Sequence, residues 1–309
     1  MKLVAAFFKL IRWPNLFFIV LTQMLFRFFV LPYVYGNSFA NFVHVKLSPL
    51  LFYLLVAASV CIAAAGYIIN DYFDVNIDLI NKPSKLVIDR YIKRRWAIIW
   101  HIILSAAGIV LSGYIGYKMR NVYIPFFNLI AIATLWFYST TFKKKLLIGN
   151  IIVSLLTAWV ILVLTTAEHQ FTIGAPGNDW RRLLKVSFIY GGFAFIISLV
   201  REVIKDMEDI SGDIKYGCKT MPIVWGIPVS KVYAAVWIVV LMASIAGIEI
   251  YIIYAGWLFA ALYGVITLII PLIWALRKLY EAQTQAHFHK LSNAVKLIML
   301  AGILSMIFF

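Results

Sequence analysis

Acidic residues are scarce in this chain, 13 aspartates and glutamates against 28 lysines and arginines in 309 residues. Cysteine is scarcer still. Cys61 stands in an apolar run and Cys218 in a polar stretch, too few for a disulfide scaffold and at a spacing that matches no zinc or redox pattern. None of the five histidines lies in sequence beside the clustered acids described below. The N-terminus has Lys2, Lys9 and Arg12 before a long apolar segment but no clear small-residue cleavage site, so that segment reads as a retained helix and not a signal peptide. Long polar stretches are missing too. That leaves no room for a soluble domain, and residues 1–309 read as a single membrane domain.

What fills the chain instead is hydrophobic: 63% apolar and 16% aromatic residues, with a mean hydropathy of +0.92. Soluble domains run at about 45–50% apolar, so the composition is that of a polytopic membrane protein. A spanning helix needs about 20 apolar residues. Nine candidates lie near 14–35, 48–70, 97–117, 121–141, 147–167, 184–204, 229–253, 255–276 and 291–309, which predicts an all-α bundle of nine transmembrane helices. Threading the loops alternately places 21 of the Lys and Arg on the side of the N-terminus and six on the other, with Arg27 inside a span. By the positive-inside rule the N-terminus is cytoplasmic, in a protein expected in the cell inner membrane. The net charge of +15 is therefore topogenic, dispersed among short loops, and no nucleic-acid partner is expected.

The few acids are concentrated. "NDYFDVNID" at 70–78 and "KDMEDISGD" at 205–213 both contain D-x-x-D-x-x-x-D, and with Glu202 these two segments hold eight of the 13 acids. They follow the second and sixth spans, on the cytoplasmic side. If the second helix continues past the membrane, Asn70, Asp74 and Asp78 stand at i, i+4 and i+8, with Asp71 about 100° away. On the sixth helix Glu202, Asp206, Asp209 and Asp213 fall within roughly 60°, provided Gly212 does not end it. Two such faces brought together would line a cavity with oxygen ligands. Carboxylates so close require cations, and oxygen ligands without histidine favour Mg²⁺, which joins a few carboxylates to substrate phosphates. A phosphate or diphosphate ligand is expected, its other oxygens held by basic residues interleaved with the acids, Lys85, Arg90, Lys145, Arg201 and Lys205 among them.

These residues resemble the UbiA superfamily of intramembrane prenyltransferases. "RWPN" at 12–15 is similar to its Arg-x-Pro-Asn lead into the first helix, and residues 70–78 match Asn-Asp-x-x-Asp-x-x-x-Asp in full. "NKP" at 81–83, "YS" at 138–139, "GN" at 149–150, the second Asp-x-x-x-Asp at 209–213 and the following "GCKT" also fit. One departure is "KLVIDR" at 85–90, where many members read Arg-Pro-x-x-Ser-Gly; Lys85 keeps the charge but not the bidentate fork. The resemblance implies nine helices around a central cavity and transfer of a polyprenyl group from its diphosphate to an acceptor. It implies Asp74, Asp78, Asp209 and Asp213 as catalytic residues and Asn70, Asp71, Asp74, Asp78, Asp206, Asp209 and Asp213 as the Mg²⁺ set. Asn70 also contacts diphosphate, and Asn15 and Tyr138 line the substrate pocket.

"REVIKDMEDISGD" at 201–213 looks most like the branch that alkylates geranylgeranylglyceryl phosphate. The expected reaction is Mg²⁺-dependent transfer of a geranylgeranyl group to that lipid acceptor. An aromatic quinone precursor, of the 4-hydroxybenzoate or naphthoate type, remains an alternative acceptor. An ion or phosphate transporter fits less well, because transporters place ionisable groups near the midplane whereas these acids cluster at one membrane edge.

Overall fold

The computed structural model describes residues 2–36, 45–81, 83, 86–169 and 178–309. Lys85, an expected diphosphate contact, lies outside the described residues. Among these the structure is helical throughout: α1 (Lys2–Leu10), α2 (Trp13–Val34), α3 (Pro49–Asn81), α4 (Arg94–Met119), α5 (Tyr123–Thr140), α6 (Ile148–Glu168), α7 (Asn178–Glu208), α8 (Ile210–Lys215), α9 (Met221–Val224), α10 (Gly226–Tyr254), α11 (Leu258–Glu281) and α12 (Gln285–Phe308). Among the described residues nine of these helices are long and apolar enough to cross a membrane, as the hydropathy pattern predicts. In hydrocarbon a chain must satisfy its own backbone groups, and the helix does so locally.

Helix lengths depart from the apolar runs in an informative way. The apolar run of α3 stops near residue 70, yet the helix continues through polar residues to Asn81, about three further turns. It ends two residues before Pro83, whose ring cannot continue it. Prolines also mark the π-helical turns in α2 (Phe26–Val30) and α11 (Val265–Ile269), each two residues ahead of Pro32 or Pro271, where a missing N–H loosens the ladder.

The chain divides into two compact units, and the division falls within α6 and α7. Unit 1 holds residues 1–143 and 159–187. Here α3 packs closely against α4 and α5. The approach needs glycine: a β-carbon on Gly108 would lie 2.6 Å from Ile62 Cγ1, and one on Gly66 would lie 2.8 Å from Leu135 Cδ2. A buried relay adds polar cohesion, with Trp159 Nε1 donating to Asn128 Oδ1 at 2.9 Å and Asn128 Nδ2 to Ser112 Oγ at 2.8 Å.

At the end of α3 opposite its polar overhang, Glu168 is buried among donors. It accepts from the backbone N–H of Lys46 (3.0 Å) and Leu47 (3.2 Å) and from the Tyr35 hydroxyl (3.3 Å), while Arg27 Nη1 stands at 3.9 Å. Burial, with the carboxylate beside it, pushes the Tyr35 hydroxyl up and keeps it a donor. Arg27, given no role by the sequence, is thus half of a buried ion pair.

Unit 2 holds residues 144–158 and 188–309. Its core is apolar, with Val200, Val203, Ile204 and Met207 of α7 recurring at helical spacing in the same cluster as Ile238 of α10 and Leu272 of α11. Glu249 of α10 packs on Gly264 of α11, where a β-carbon would overlap its carboxylate.

Replacing Glu168 by alanine leaves Arg27 buried without its counter-ion. The expected loss is about 3–5 kcal/mol, read as a lowered thermal-unfolding midpoint in detergent. Leucine at both positions recovers much of it, because the desolvation of both charges disappears together.

Candidate active site

The first acidic segment is the overhang of α3. Its polar residues spread over one arc of about 100°, from Asn70 through Asp74 and Asp78 to Asp71. Asp71 carries an ion pair from Arg12, Nη2 to Oδ1 2.6 Å, and Arg12 also lies over the Tyr67 ring, 5.3 Å from its centroid. Asp74, about 60° round the helix from Asp71, is paired with the ammonium of Lys143. Asn70, one turn before Asp74, has a buried Oδ1 with no hydrogen-bond partner. Asp78 lies half-buried one turn further on.

Helix α5 brings the remaining groups of unit 1 to this overhang. Its last turns set Trp136 perpendicular to Phe73, edge to face, ring centroids 5.9 Å apart, and carry the half-buried Tyr138. The 3₁₀ turn Phe142–Lys144 that follows then delivers Lys143 to Asp74. The sequence singled out Lys145 from this basic run; Lys145 is exposed and belongs to unit 2. Arg90 is exposed at the tip of a tight turn, over the Tyr91 ring, in which Asp89 has φ 66° and pairs with Arg94 at 2.8 Å. Asn15 lies half-buried in the first turn of α2, its N–H bonded to the Arg12 carbonyl at 2.8 Å.

The second segment does not form one continuous helix face. Helix α7 ends at Glu208, and Asp209 (φ −96°, ψ 6°) turns the chain into the short α8, so the break comes before Gly212. Short acidic side chains compete with the helical backbone for hydrogen bonds, which favours such a position over a helix interior. Asp213 is therefore carried by a separate turn. Asp206 accepts from Asn150 Nδ2 at 2.8 Å, and Glu202 is flanked by Arg201 (3.1 Å) and Lys205 (3.3 Å). Glu208, buried, meets His289 Nδ1 at 2.8 Å, with Asn293 on the other ring nitrogen at 3.2 Å. Histidine thus meets an acid outside the expected ligand set: His289 follows Glu208 by 81 residues, and only the fold of unit 2 brings it there. Asn150 had a sequence signal in "GN" but no assigned role; His289 had none.

Among the described residues no three His, Cys, Asp or Glu side chains converge as a metal cage. Mg²⁺ does not require one. It keeps several waters and is held by one or two carboxylates plus substrate phosphates. The oxygen-only donors of the overhang, with the orphaned amide oxygen of Asn70 and an Asp74 already seated against a cation, fit such an ion.

Residues 29–298 match the profile of the UbiA prenyltransferase family. The chain belongs to the UbiA prenyltransferase family. The match runs through both acidic segments, and this UbiA member is an integral membrane prenyltransferase. It is 31% identical over 249 residues to digeranylgeranylglyceryl phosphate synthase of Methanothermobacter thermautotrophicus, covering 79% of this chain and 80% of that one. A solved digeranylgeranylglyceryl phosphate synthase superposes with a TM-score of 0.65 at 25% identity, covering 99% of this chain and 98% of that one. A UbiA homologue from Archaeoglobus fulgidus, solved bound to DMAPP and Mg²⁺, shares the fold at a TM-score of 0.54 and 16% identity, over 97% and 98% of the two chains.

The ammonium of Lys143 is a positive charge seated against the first motif. Lys143→Ala is expected to raise the KM for a prenyl diphosphate by about tenfold or more, the scale of one charge-assisted contact, measured in steady-state transfer assays.

Proposed function

We propose that the protein transfers a geranylgeranyl group from its diphosphate to geranylgeranylglyceryl phosphate, at the cytoplasmic edge of the membrane. The observation that carries this reading is the similarity to the Methanothermobacter synthase along four-fifths of both chains. The site residues are consistent with it. In unit 1, Asn70, Asp74 and Asp78 on α3 are oxygen donors that would hold Mg²⁺ and its diphosphate; in unit 2, Asp206, Asp209 and Asp213 on the α7–α8 segment are oxygen donors of the same kind. Bound Mg²⁺ acts as a Lewis acid on the leaving group.

The chain's own residues do the rest. Lys143 in unit 1, and Arg201 and Lys205 in unit 2, are cations of the kind that neutralise diphosphate oxygens as the allylic carbon–oxygen bond breaks and its electron pair leaves with the diphosphate. Tyr72, Phe73 and Trp136 present ring faces near the overhang, of the kind that stabilise an allylic cation. The apolar helices hold the prenyl tail and keep water from the cation. The glycerol hydroxyl oxygen forms the new ether bond to the allylic carbon, and its proton passes to the departing diphosphate. The positive-inside count supports the cytoplasmic placement.

The test is a transfer assay on detergent-purified protein with labelled geranylgeranyl diphosphate, with Mg²⁺ or EDTA, offering geranylgeranylglyceryl phosphate beside 4-hydroxybenzoate and a naphthoate. Labelling of the glyceryl phosphate alone, abolished by EDTA, is expected; labelling of an aromatic acceptor alone overturns the acceptor assignment. Asp74→Ala is expected to lower turnover by at least about 100-fold, and full activity in that variant removes Asp74 from the site.

A further inference from the structure

Arg12 is held in an unusual way for a surface arginine. Its backbone is left-handed (φ 52°, ψ 53°), a region that costs a non-glycine residue about 1 kcal/mol or more unless the surroundings enforce it. It sits at the corner between α1 and α2. Helix α1 is anchored there by Ala6, Leu10 and Ile11, which pack into the core beside Ile68 and Val75 of α3, while its other face leaves Leu3, Val4 and Phe8 exposed.

From this corner the guanidinium reaches Tyr67 and Asp71, residues one turn apart on the same stripe of α3. Asp71 raises the Arg12 pKa further, so the guanidinium is charged at every physiological pH. The Arg12 carbonyl meanwhile accepts the Asn15 N–H, tying the first turn of α2 to the same point.

We propose that Arg12 and Asp71 form a positioning clamp that fixes the start of α2, including Asn15, against the first acidic motif, and that Asp71 serves as the counter-ion of Arg12 and not as a metal ligand. On the helix Asn70 and Asp74, about 40° apart, face the metal and diphosphate, while Asp71, about 100° round from Asn70 and about 60° from Asp74, faces the N-terminal corner, with Asp78 one turn beyond Asp74 and about 20° from Asp71 on that side. A carboxylate already engaged at 2.6 Å by a guanidinium has one lobe of its charge committed. Lysine would not reproduce the clamp, because the planar fork both stacks on Tyr67 and reaches Asp71.

The inference rests on the prenyl-transfer reading, and the experiment separates the two. Full-length protein carrying Arg12→Asp, Asp71→Arg, or both is assayed for geranylgeranyl transfer and for thermal unfolding in detergent. Asp71→Asn and Asp74→Asn are compared in Mg²⁺ titrations. Each single reversal is expected to lower kcat/KM by about tenfold or more, and the double swap to recover about tenfold over the worse single, as a coupled charge pair does. Aspartate at position 12 also tolerates the left-handed backbone. The Mg²⁺ concentration for half-maximal rate stays at the wild-type value in Asp71→Asn and rises by about tenfold in Asp74→Asn, the cost of losing a charged ligand.

A shift in Asp71→Asn as large as that in Asp74→Asn overturns the proposal, as does a folded double swap no better than the worse single. If the wild type transfers nothing to any acceptor, the prenyl-transfer reading fails by itself. The unfolding temperatures of the same set then decide the clamp, supported by recovery in the swap and refuted by its absence.

Discussion

A carboxylate withdrawn from water needs donors for its charge, and in a chain this apolar the acids that remain are placed by that requirement. Glu168 has two backbone N–H groups, a tyrosine and Arg27; Asp71 has Arg12; Asp74 has Lys143; Glu202 has Arg201 and Lys205; Glu208 has His289. Asp206 takes a neutral partner, the Asn150 amide. Most of these pairings tie one helix to a neighbouring turn or a distant segment, whereas Arg201 and Lys205 answer Glu202 from its own helix. Glu249 differs, since its buried Oε2 has no hydrogen-bond partner and its carboxylate rests on Gly264.

The same requirement explains why the chemistry sits at helix ends. Within hydrocarbon the backbone is satisfied by the helix and the contacts are steric, such as Gly108 on Ile62 and Gly66 on Leu135. Those contacts hold α3 closely against α4 and α5. Where α3 outruns its apolar stretch, polar side chains emerge on a rod already fixed in rotation, so the helical period decides which neighbour each acid meets, Arg12 at Asp71 and Lys143 at Asp74. The turn after α5 then needs only a few residues to place a lysine against Asp74.

The α7–α8 segment solves the problem differently. Its acids are distributed across a break at Asp209, and the groups that hold them come from separate places: Asn150 from the first turn of α6, His289 from the first turns of α12, Arg201 and Lys205 from α7 itself. The repeated D-x-x-D-x-x-x-D spacing is thus realised as one long helix in the first segment and as two helices in the second.

The sequence by itself determined the nine spans, because hydropathy over about 20 residues follows from the bilayer thickness and needs no tertiary information. It also determined the acidic motifs and their helical spacing, since the period of 3.6 is a local property of the backbone. It did not determine which residues answer the acids. Lys143 differs from Lys144 and Lys145 only through the 3₁₀ turn that carries it, and Arg12, 59 residues from Asp71, reaches it only because α1 packs beside α3. His289 and Arg27 gave no periodic or motif signal at all. Only the tertiary structure decided these pairings, because a charge partner is chosen by distance and burial in three dimensions, and neither is written in sequence spacing.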